Sequence, residues 1–435
     1  MTGSMWTRQE ADHVGKRLLV VYDKGAVGPY EIARSLSDMC EITFLVPESK
    51  HNSRVLPLLG QLADVVRLDD DVRDVRRHLD RLRPDGITTF CESRLLLTAA
   101  LADYLGLPYH DLDTVQLLRN KHRQRERLRT HGVDNVRNAF LSCPEDWDDA
   151  VARTGIPAVL KPVDGEGSRH TTIVHDASTG QRLLQELLAV DGNGQRREQG
   201  MVLEELLVGR DMRPFGDYVS VECLVSRGQV HPLMVTGKLP FRPPFRELAH
   251  IWPAPLDDAD RKPVLDLCIA ALTALGVRQG LTHVEIKLTE SGPRLIEVNG
   301  RLGAYFQEMS WAVGGPNLVQ WAGRLAFDED VRSEPLAFDK VVFAHFEKAP
   351  DGATAVLSAT GATEVRKLPG CRLYRPCATV GPDPDGDMSM MDLDLFCGVA
   401  DDYDEMFAMI AEVQERAKFT FAFDAEATAT PSAGH

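Results

Sequence analysis

Between residues 281 and 303 the sequence LTHVEIKLTESGPRLIEVNGRLG alternates apolar and polar side chains on both sides of a TESGP turn. A period of two over both arms admits little besides an antiparallel hairpin. On the first arm Val284, Ile286 and Leu288 share one face, and His283, Glu285 and Lys287 share the other. On the return arm Ile296 and Val298 join the apolar face, while Glu297, Asn299 and Arg301 join the polar one. One face therefore needs a core against it, and the other gathers carboxylates, an amide oxygen and cations. Hard oxygen donors suit Mg²⁺, which one or two carboxylates usually hold together with substrate phosphates, and two ions can clamp a transferring phosphoryl group. A solvated surface hairpin would alternate in the same way, so the weight of this reading depends on what surrounds it.

A chain of 435 residues exceeds one ordinary core and implies two to four packed units. Its first part alternates short apolar runs with helical patterns: KRLLVVYDKG, VGPYEIARSLSDMC, EITFLVP, ADVVRLDD, a charged helical stretch at 71 to 83, GITTF and SRLLLTAALADYLG. This βαβ rhythm over residues 15–115 predicts a parallel sheet and an α/β fold class. Helical spacing runs from Thr114 to Gly132, where the glycine is a stop signal. A strand at 157–163, a helix near 178–190, a polar connector at 189–200 and strands at 201–207 and 218–226 follow. The segment KLPFRPPFRELAHIWPAP is broken by prolines and predicts irregular structure, and loops of that length are uncommon unless functional. A helix at about 258–276 leads into the hairpin, a mixed β-rich unit occupies residues from about 335 and ends in a helix near 402–417, and the tail at 426–435 is expected to be disordered.

The formal net charge is −16 with both signs interspersed, which argues against nucleic acid or anionic lipid as a partner. No apolar run reaches membrane-spanning length and the first residues carry no signal-peptide pattern, so the expectation is a cytoplasmic protein. Eight cysteines are scattered without a CxxC pair or metal-ligand spacing, which reads as reduced structural thiols.

Three further patterns could carry chemistry. Lys161 ends an apolar strand before DGEGSR, where the amides around Gly165, Gly167 and Ser168 could wrap phosphate oxygens beside the lysine charge. The GxxxxGK[ST] and GxGxxG patterns are absent, and an ordinary strand-to-helix turn would explain the segment about as well. VLEELLVG (202–209) could offer backbone and the acids Glu204 and Glu205 to a base and its ribose, or be a buried strand with two exposed acids. RELAH places Glu247 and His250 three apart in the proline-rich loop, where they could close over a substrate or simply face solvent. Lys238, Arg242 and Arg246 put positive charge in the same loop, which suits a carboxylate-rich substrate or mere solubility.

Taken in order, Lys121, Lys161 with its glycine loop, Glu204-Glu205-Leu206-Leu207, and Glu285 followed by Glu297-Val298-Asn299-Gly300-Arg301 resemble the ATP-grasp superfamily. Glu247-Leu-Ala-His250 ahead of EVNGRLG is similar to the L-amino-acid ligase group, carboxylate-amine ligases that make dipeptides and related amides. The resemblance implies an N-terminal βαβ domain (15–115), a small central lobe (116–200), a large lobe carrying the hairpin (201–334) and a C-terminal β-rich subdomain (335–425), with α+β character in the central lobes. It implies ATP and Mg²⁺ as cofactors, two ions with Mn²⁺ as an alternative, and amino acid or peptide substrates. By analogy only, it implies a homodimer. Lys121 and Lys161 would contact phosphates, Glu204, Glu205 and Leu207 the adenine end, and Glu285, Glu297 and Asn299 the metal. Arg301 would stabilise the acyl-phosphate and tetrahedral intermediate, with Glu247 and His250 beside the amino acid. Where the family has an acid two places before Ser220 this chain has Tyr218, which leaves Asp217 or Asp211 for the ribose. The implied activity is ATP-dependent amide formation releasing ADP and phosphate. Alternatives are a ligase with another acceptor, such as a carrier-protein thiol, and an ATP-binding regulator without turnover.

Overall fold

The computed structural model describes residues 15–68, 78–190, 194, 196–383 and 388–423. The tail at 426–435 and most of the helical stretch expected at 71 to 83 lie outside them. The N-terminal strands pair in parallel in the order Asp64–Leu68, Glu41–Pro47, Arg17–Val21, Gly86–Thr88. Leu18, Leu19, Val20 and Val21 are all buried, the continuous apolar run of a strand covered on both faces. Helices Pro29–Leu36 and Leu95–Leu105 match the sequence reading. A helix at Lys50–Leu62, capped by the Ser49 side chain, was not read from the sequence.

A second sheet is antiparallel, in the order Asn138–Leu141, Met201–Glu205, Ala158–Pro162, Thr172–Val174. Met201–Glu205 is hydrogen-bonded on both sides within it, so this sheet runs past the division placed at residue 200. Helices Trp147–Thr154 and Ala177–Leu188 bring Trp147, Leu184 and Leu187 against its inner face.

The hairpin lies at one edge of an eight-stranded antiparallel sheet. Its order is Gly292–Asn299, Gly280–Thr289, Tyr218–Ser226, Gln229–Lys238, Ala249–Trp252, Val341–His345, Asp394–Ala400, Cys371–Pro376. Three strands from beyond residue 335 thus extend the same sheet as the hairpin, while Gly381–Pro382, Ala353–Thr360 and Lys418–Phe423 form a separate small one. The apolar face of the hairpin packs on the helix Asp258–Ala274, with Val284, Ile286, Leu295 and Val298 against Val264, Cys268 and Leu272.

Two local expectations change. The proline-rich segment is not irregular throughout, because Gln229–Lys238 reaches into it and Ala249–Trp252 is a fully buried strand paired on both sides. Cross-strand pairing and burial of Ile251 and Trp252 override the flanking prolines, and only residues 239–248 remain between the two strands. The helical run from Thr114 to Gly132 is two helices, Leu112–Arg119 and Lys121–Thr130, broken at Asn120. Asn120 leaves the helical region and its side chain accepts from the Arg123 amide at 2.9 Å, an N-cap that restarts the chain at Lys121.

The N-terminal unit is held to the large sheet through Arg375, which pairs with Glu31 at 2.7 Å and with Glu308 at 3.2 Å. Burial, reinforced by the nearby Glu31 charge, pushes the Glu308 carboxyl up to about 7 although Arg375 pulls it down. A raised folded-state pKa means that this group's stabilising contribution is complete below its unfolded value and lost as pH rises through about 7. Glu308→Gln is therefore expected to be more stable than wild type at pH of about 8, with the advantage shrinking towards about pH 5. Urea midpoints of both proteins across that range would show it, and a constant difference would refute it.

Candidate functional site

A cavity of about 330 Å³ is bounded by the polar face of the hairpin, the second sheet, the glycine loop and the segment around Glu247. Lys121, Lys161, Gly165, Gly167, Ser168, Glu204, Glu205, Leu207, Glu247, His250, Glu285, Glu297, Asn299 and Arg301 all line it. Asp217 does not, because Lys287 holds its carboxylate at 2.6 Å, and Asp211 pairs with Arg213 in an exposed position. Only the Lys287 side of the first pair reaches the cavity.

The hairpin register sets the metal-ligating candidates. His283 faces Asn299, Val284 faces Val298 and Glu285 faces Glu297, after which the register shifts so that Ile286 faces Leu295. The shift is a bulge with one extra residue on the return strand, and it corrects the strict alternation read from the sequence. Leu295 is fully buried in the core and Ile296 turns into the cavity instead of joining the apolar face. The bulge leaves Glu285 and Glu297 side by side at the cavity wall.

Charge around this pair is arranged from below. His283 is buried, with Nδ1 at 2.7 Å from Glu222 and Nε2 at 3.4 Å from Glu285. Burial alone would lower its pKa, but the Glu222 charge and hydrogen bond outweigh that and raise it to about 9, so His283 is a cation at neutral pH. Burial likewise pushes Glu285 upward, and the hydrogen bond and charge of His283 more than compensate, holding the carboxyl below its ordinary range. Glu297 meets Lys121 Nζ at 3.3 Å. Glu285, Glu297 and the Asn299 amide therefore offer hard oxygen donors with an ionised carboxylate among them, which fits Mg²⁺. No group of three or more His, Cys, Asp or Glu forms a complete metal cage among the described residues. Two carboxylates suit an ion that takes its other ligands from water and phosphates.

Lys121 opens its helix at the Asn120 break, where its amide donates to the Val163 carbonyl and its ammonium to the Gly165 carbonyl at 2.7 Å. Lys161 pairs with Glu204 at 2.9 Å, and Arg125 grips the same carboxylate through Nε at 3.0 Å and Nη2 at 2.9 Å. Burial opposes ionisation of Glu204, yet the two cations bring its pKa down to about 2. Burial lowers the Lys161 pKa against the opposing Glu204 charge. Arg125 also donates to the carbonyls of Leu295 and Ile296, at 2.8 and 2.7 Å, and Gln124 exchanges two hydrogen bonds with Val298, each of 3.0 Å. Helix Lys121–Thr130 thus covers the free edge of the hairpin with side chains. Glu205 is held by Arg137 at 2.7 Å. In the glycine loop, Gly167 has φ of +64°, a region that glycine occupies without penalty, and Ser168 Oγ donates to the Phe245 carbonyl at 3.1 Å.

On the far side, Lys238 is fully buried and donates to Glu247 and to His250 Nδ1, both at 2.8 Å. Burial, together with the Lys238 and His283 charges, drives the His250 pKa well down, so the ring is neutral and accepts at Nδ1. The Lys238 charge holds Glu247 below its ordinary range against burial. Arg301 lies 3.4 Å from Glu92, whose carboxyl burial raises to about 7 although Arg301 and Arg119 oppose it.

Arg125, Glu92 and the partnership of Lys238 with Glu247 carry no distinct sequence signal. Arg125 lies in an arginine-rich helix whose composition gives no sign of burial, and Glu92 in a strand-to-helix connection of the N-terminal unit. Lys238 ends a strand that the sequence pattern assigns to the loop.

A family model described as "ATP-grasp domain" matches residues 154–307, which contain the hairpin, Lys161 and the Glu247 segment. Residues 154–307 are an ATP-grasp domain. Among curated proteins the chain is similar to alanine–anticapsin ligase of Bacillus subtilis (strain 168), 26% identical over 54% of this chain and 52% of that one. It is also similar to carnosine synthase 1 of Mus musculus, 29% identical over 52% of this chain and 28% of that one. The chain spans about half the length, or less, of these curated relatives. The crystal structure of L-amino acid ligase from Bacillus licheniformis superposes with a TM-score of 0.78 at 21% identity, covering 94% of this chain and 99% of that one. The fold of that ligase thus extends over nearly the whole described chain. No helix among the described residues is long and apolar enough to cross a membrane.

Removing Arg125 leaves the Glu204 carboxylate with one cation and the bulge carbonyls without donors. Arg125→Met is expected to destabilise the protein by about 3 kcal/mol, the scale of breaking a buried pair from one side. Arg129→Ala, which removes an exposed pair with Glu126, leaves the midpoint close to wild type. Urea denaturation of the two variants checks the contrast, and equal midpoints would contradict the assigned role of Arg125.

Proposed function

We propose that the protein is an ATP-dependent carboxylate-amine ligase that forms an amide bond through an acyl-phosphate, joining an amino acid or related carboxylate to an amine and releasing ADP and phosphate. The observation that carries this reading is the convergence in one cavity of Glu285, Glu297 and Asn299 with Lys121, Lys161 and Arg301, within an ATP-grasp domain. The names of the relatives, an alanine–anticapsin ligase and a carnosine synthase, support amide formation between small molecules.

Phosphoryl transfer depends chiefly on positioning and charge neutralisation. A substrate carboxylate oxygen attacks the γ-phosphorus, the bond to the β,γ-bridging oxygen breaks and ADP leaves. The amine nitrogen then attacks the carbonyl carbon, its proton is lost, and phosphate departs. Lys121 and Lys161 bind phosphate oxygens, and Ile296 and Leu207 give an apolar surface for the base between the sheets. Mg²⁺ held by Glu285, Glu297 and Asn299 would neutralise phosphate charge. Arg301 faces the negative charge that develops on the acyl oxygen. Glu247, fixed by Lys238, and neutral His250 orient the carboxylate substrate, and the glycine loop excludes water from the acyl-phosphate. No side chain needs to become a covalent nucleophile. A regulatory role without turnover would leave the paired carboxylates with less to do, whereas a carrier thiol as acceptor would share the first step and is distinguished by the mass of the product.

The test is an ADP-release screen over pairs of amino acids and other small carboxylates with product mass spectrometry. ADP and phosphate with an amide product are expected, and AMP formation would exclude the mechanism. Glu297→Gln is expected to lower turnover at least a thousandfold, on the order of 4 kcal/mol in the barrier, while the protein stays folded. Retained turnover would remove Glu297 from the metal set.

A further inference from the structure

Beyond Arg301 the cavity is closed by residues that follow position 307, where the family match ends: Phe346, Lys348, Met390 and Asp392. Lys348 and Asp392 come from two C-terminal segments joined by a backbone bridge. Lys348 Nζ lies 2.5 Å from one carboxylate oxygen of Asp392, and the other oxygen accepts from the Tyr305 hydroxyl. The ammonium also contacts the Met390 carbonyl at 3.4 Å and stands 5.4 Å from the centre of the Phe346 ring. The Lys348 side chain is 9% exposed and that of Asp392 is 24% exposed. Phe346 in turn lies 5.2 Å from the His250 ring and 5.3 Å from Tyr305, so this wall adjoins the group assigned to the carboxylate substrate.

A nearly buried ion pair is a weak source of stability, since apolar side chains of similar volume would serve as well. Its placement at the end of a substrate cavity therefore needs another reason. Among the described residues each oxygen of Asp392 accepts one hydrogen bond, while a carboxylate has about four acceptor positions, and Lys348 has three protons for two partners. Both charges keep hydrogen-bonding capacity towards the cavity. Adjacent positive and negative groups match a molecule carrying the opposite charges on one carbon, laid antiparallel to the pair. We infer that Lys348 and Asp392 form the acceptor subsite, Lys348 binding the carboxylate and Asp392 the amino group of a free α-amino acid, with Tyr305 fixing Asp392. This rests on the ligase reading above. It restricts the acceptor to amino acids whose carboxylate is unblocked, and disfavours carrier thiols and amines without a neighbouring carboxylate.

Hydroxylamine separates the two readings because it captures an acyl-phosphate as hydroxamate and releases phosphate without needing an acceptor subsite. Wild type is first incubated with ATP, Mg²⁺, hydroxylamine and, as donor, each amino acid and small carboxylate of the screen above. With the best donor, L-alanine, L-phenylalanine and L-arginine are then compared with their amides as acceptors by product mass spectrometry. The free acids are expected to exceed the amides at least tenfold in kcat/KM. In Lys348→Met the value for the free acid should fall at least tenfold further than that for hydroxylamine, erasing the preference, and Lys348→Arg should restore part of it. Asp392→Asn should weaken acid and amide acceptors alike relative to hydroxylamine. Hydroxamate without any preference for free acids, or a preference unaltered in Lys348→Met, overturns the subsite while leaving the ligase reading intact. No hydroxamate from any donor overturns the ligase reading and the subsite with it.

Discussion

The carboxylate of Glu204, held between Arg125 and Lys161, is the interaction on which the cavity depends. It joins an inner strand of the second sheet to the helix that restarts at Lys121. Through the same guanidinium it also reaches the carbonyls of the hairpin bulge. Three charged groups in one buried network would be costly if any were left alone, so the two sheets and the helix can settle only in the arrangement that satisfies all of them. That arrangement sets the distance between Lys161 on one wall and Glu297 on the other, and hence the space in which a nucleotide's phosphates can lie.

A similar logic runs along the hairpin. An edge strand ordinarily exposes unpaired amides and carbonyls. Here Gln124, Arg125 and Asp134 take those of Leu295, Ile296 and Val298, so no further strand is needed and the edge is free to border the cavity. Beneath it, Glu222 charges His283 and His283 holds Glu285 ionised. Deeper side chains thus decide the charge state of the residue that faces the metal site. Lys238 does the same for Glu247 and His250 on the opposite wall. The cavity is lined by groups whose charges are set one layer below.

Glycine spacing in EVNGRLG follows from close packing around these residues. A side chain at Gly300 would meet Leu118 at 2.8 Å, and one at Gly303 would lie 2.7 Å from His283 Nδ1 and closer still to Phe306. Those two positions let the turn after the hairpin pass against both the N-terminal helices and the charged histidine, which brings Arg301 beside Glu92.

The sequence by itself determined the elements with strong local signals: the buried parallel strands of the first unit, the hairpin with its two faces, and the ordered set of lysines and glutamates that meets in one cavity. Periodicity and residue chemistry are local properties, and a single chain displays them. Contacts between distant segments decided the rest. The bulge that turns Ile296 outward depends on Arg125 reaching across from a helix some 170 positions earlier, and the strand Ala249–Trp252 exists because neighbours pair with it on both sides. Asp217 was drawn away from the cavity by Lys287, and the wall of Lys348 and Asp392 came from segments with no local pattern. Burial and pairing energies across such separations outweigh local propensity, and they become fixed only when the whole chain has packed.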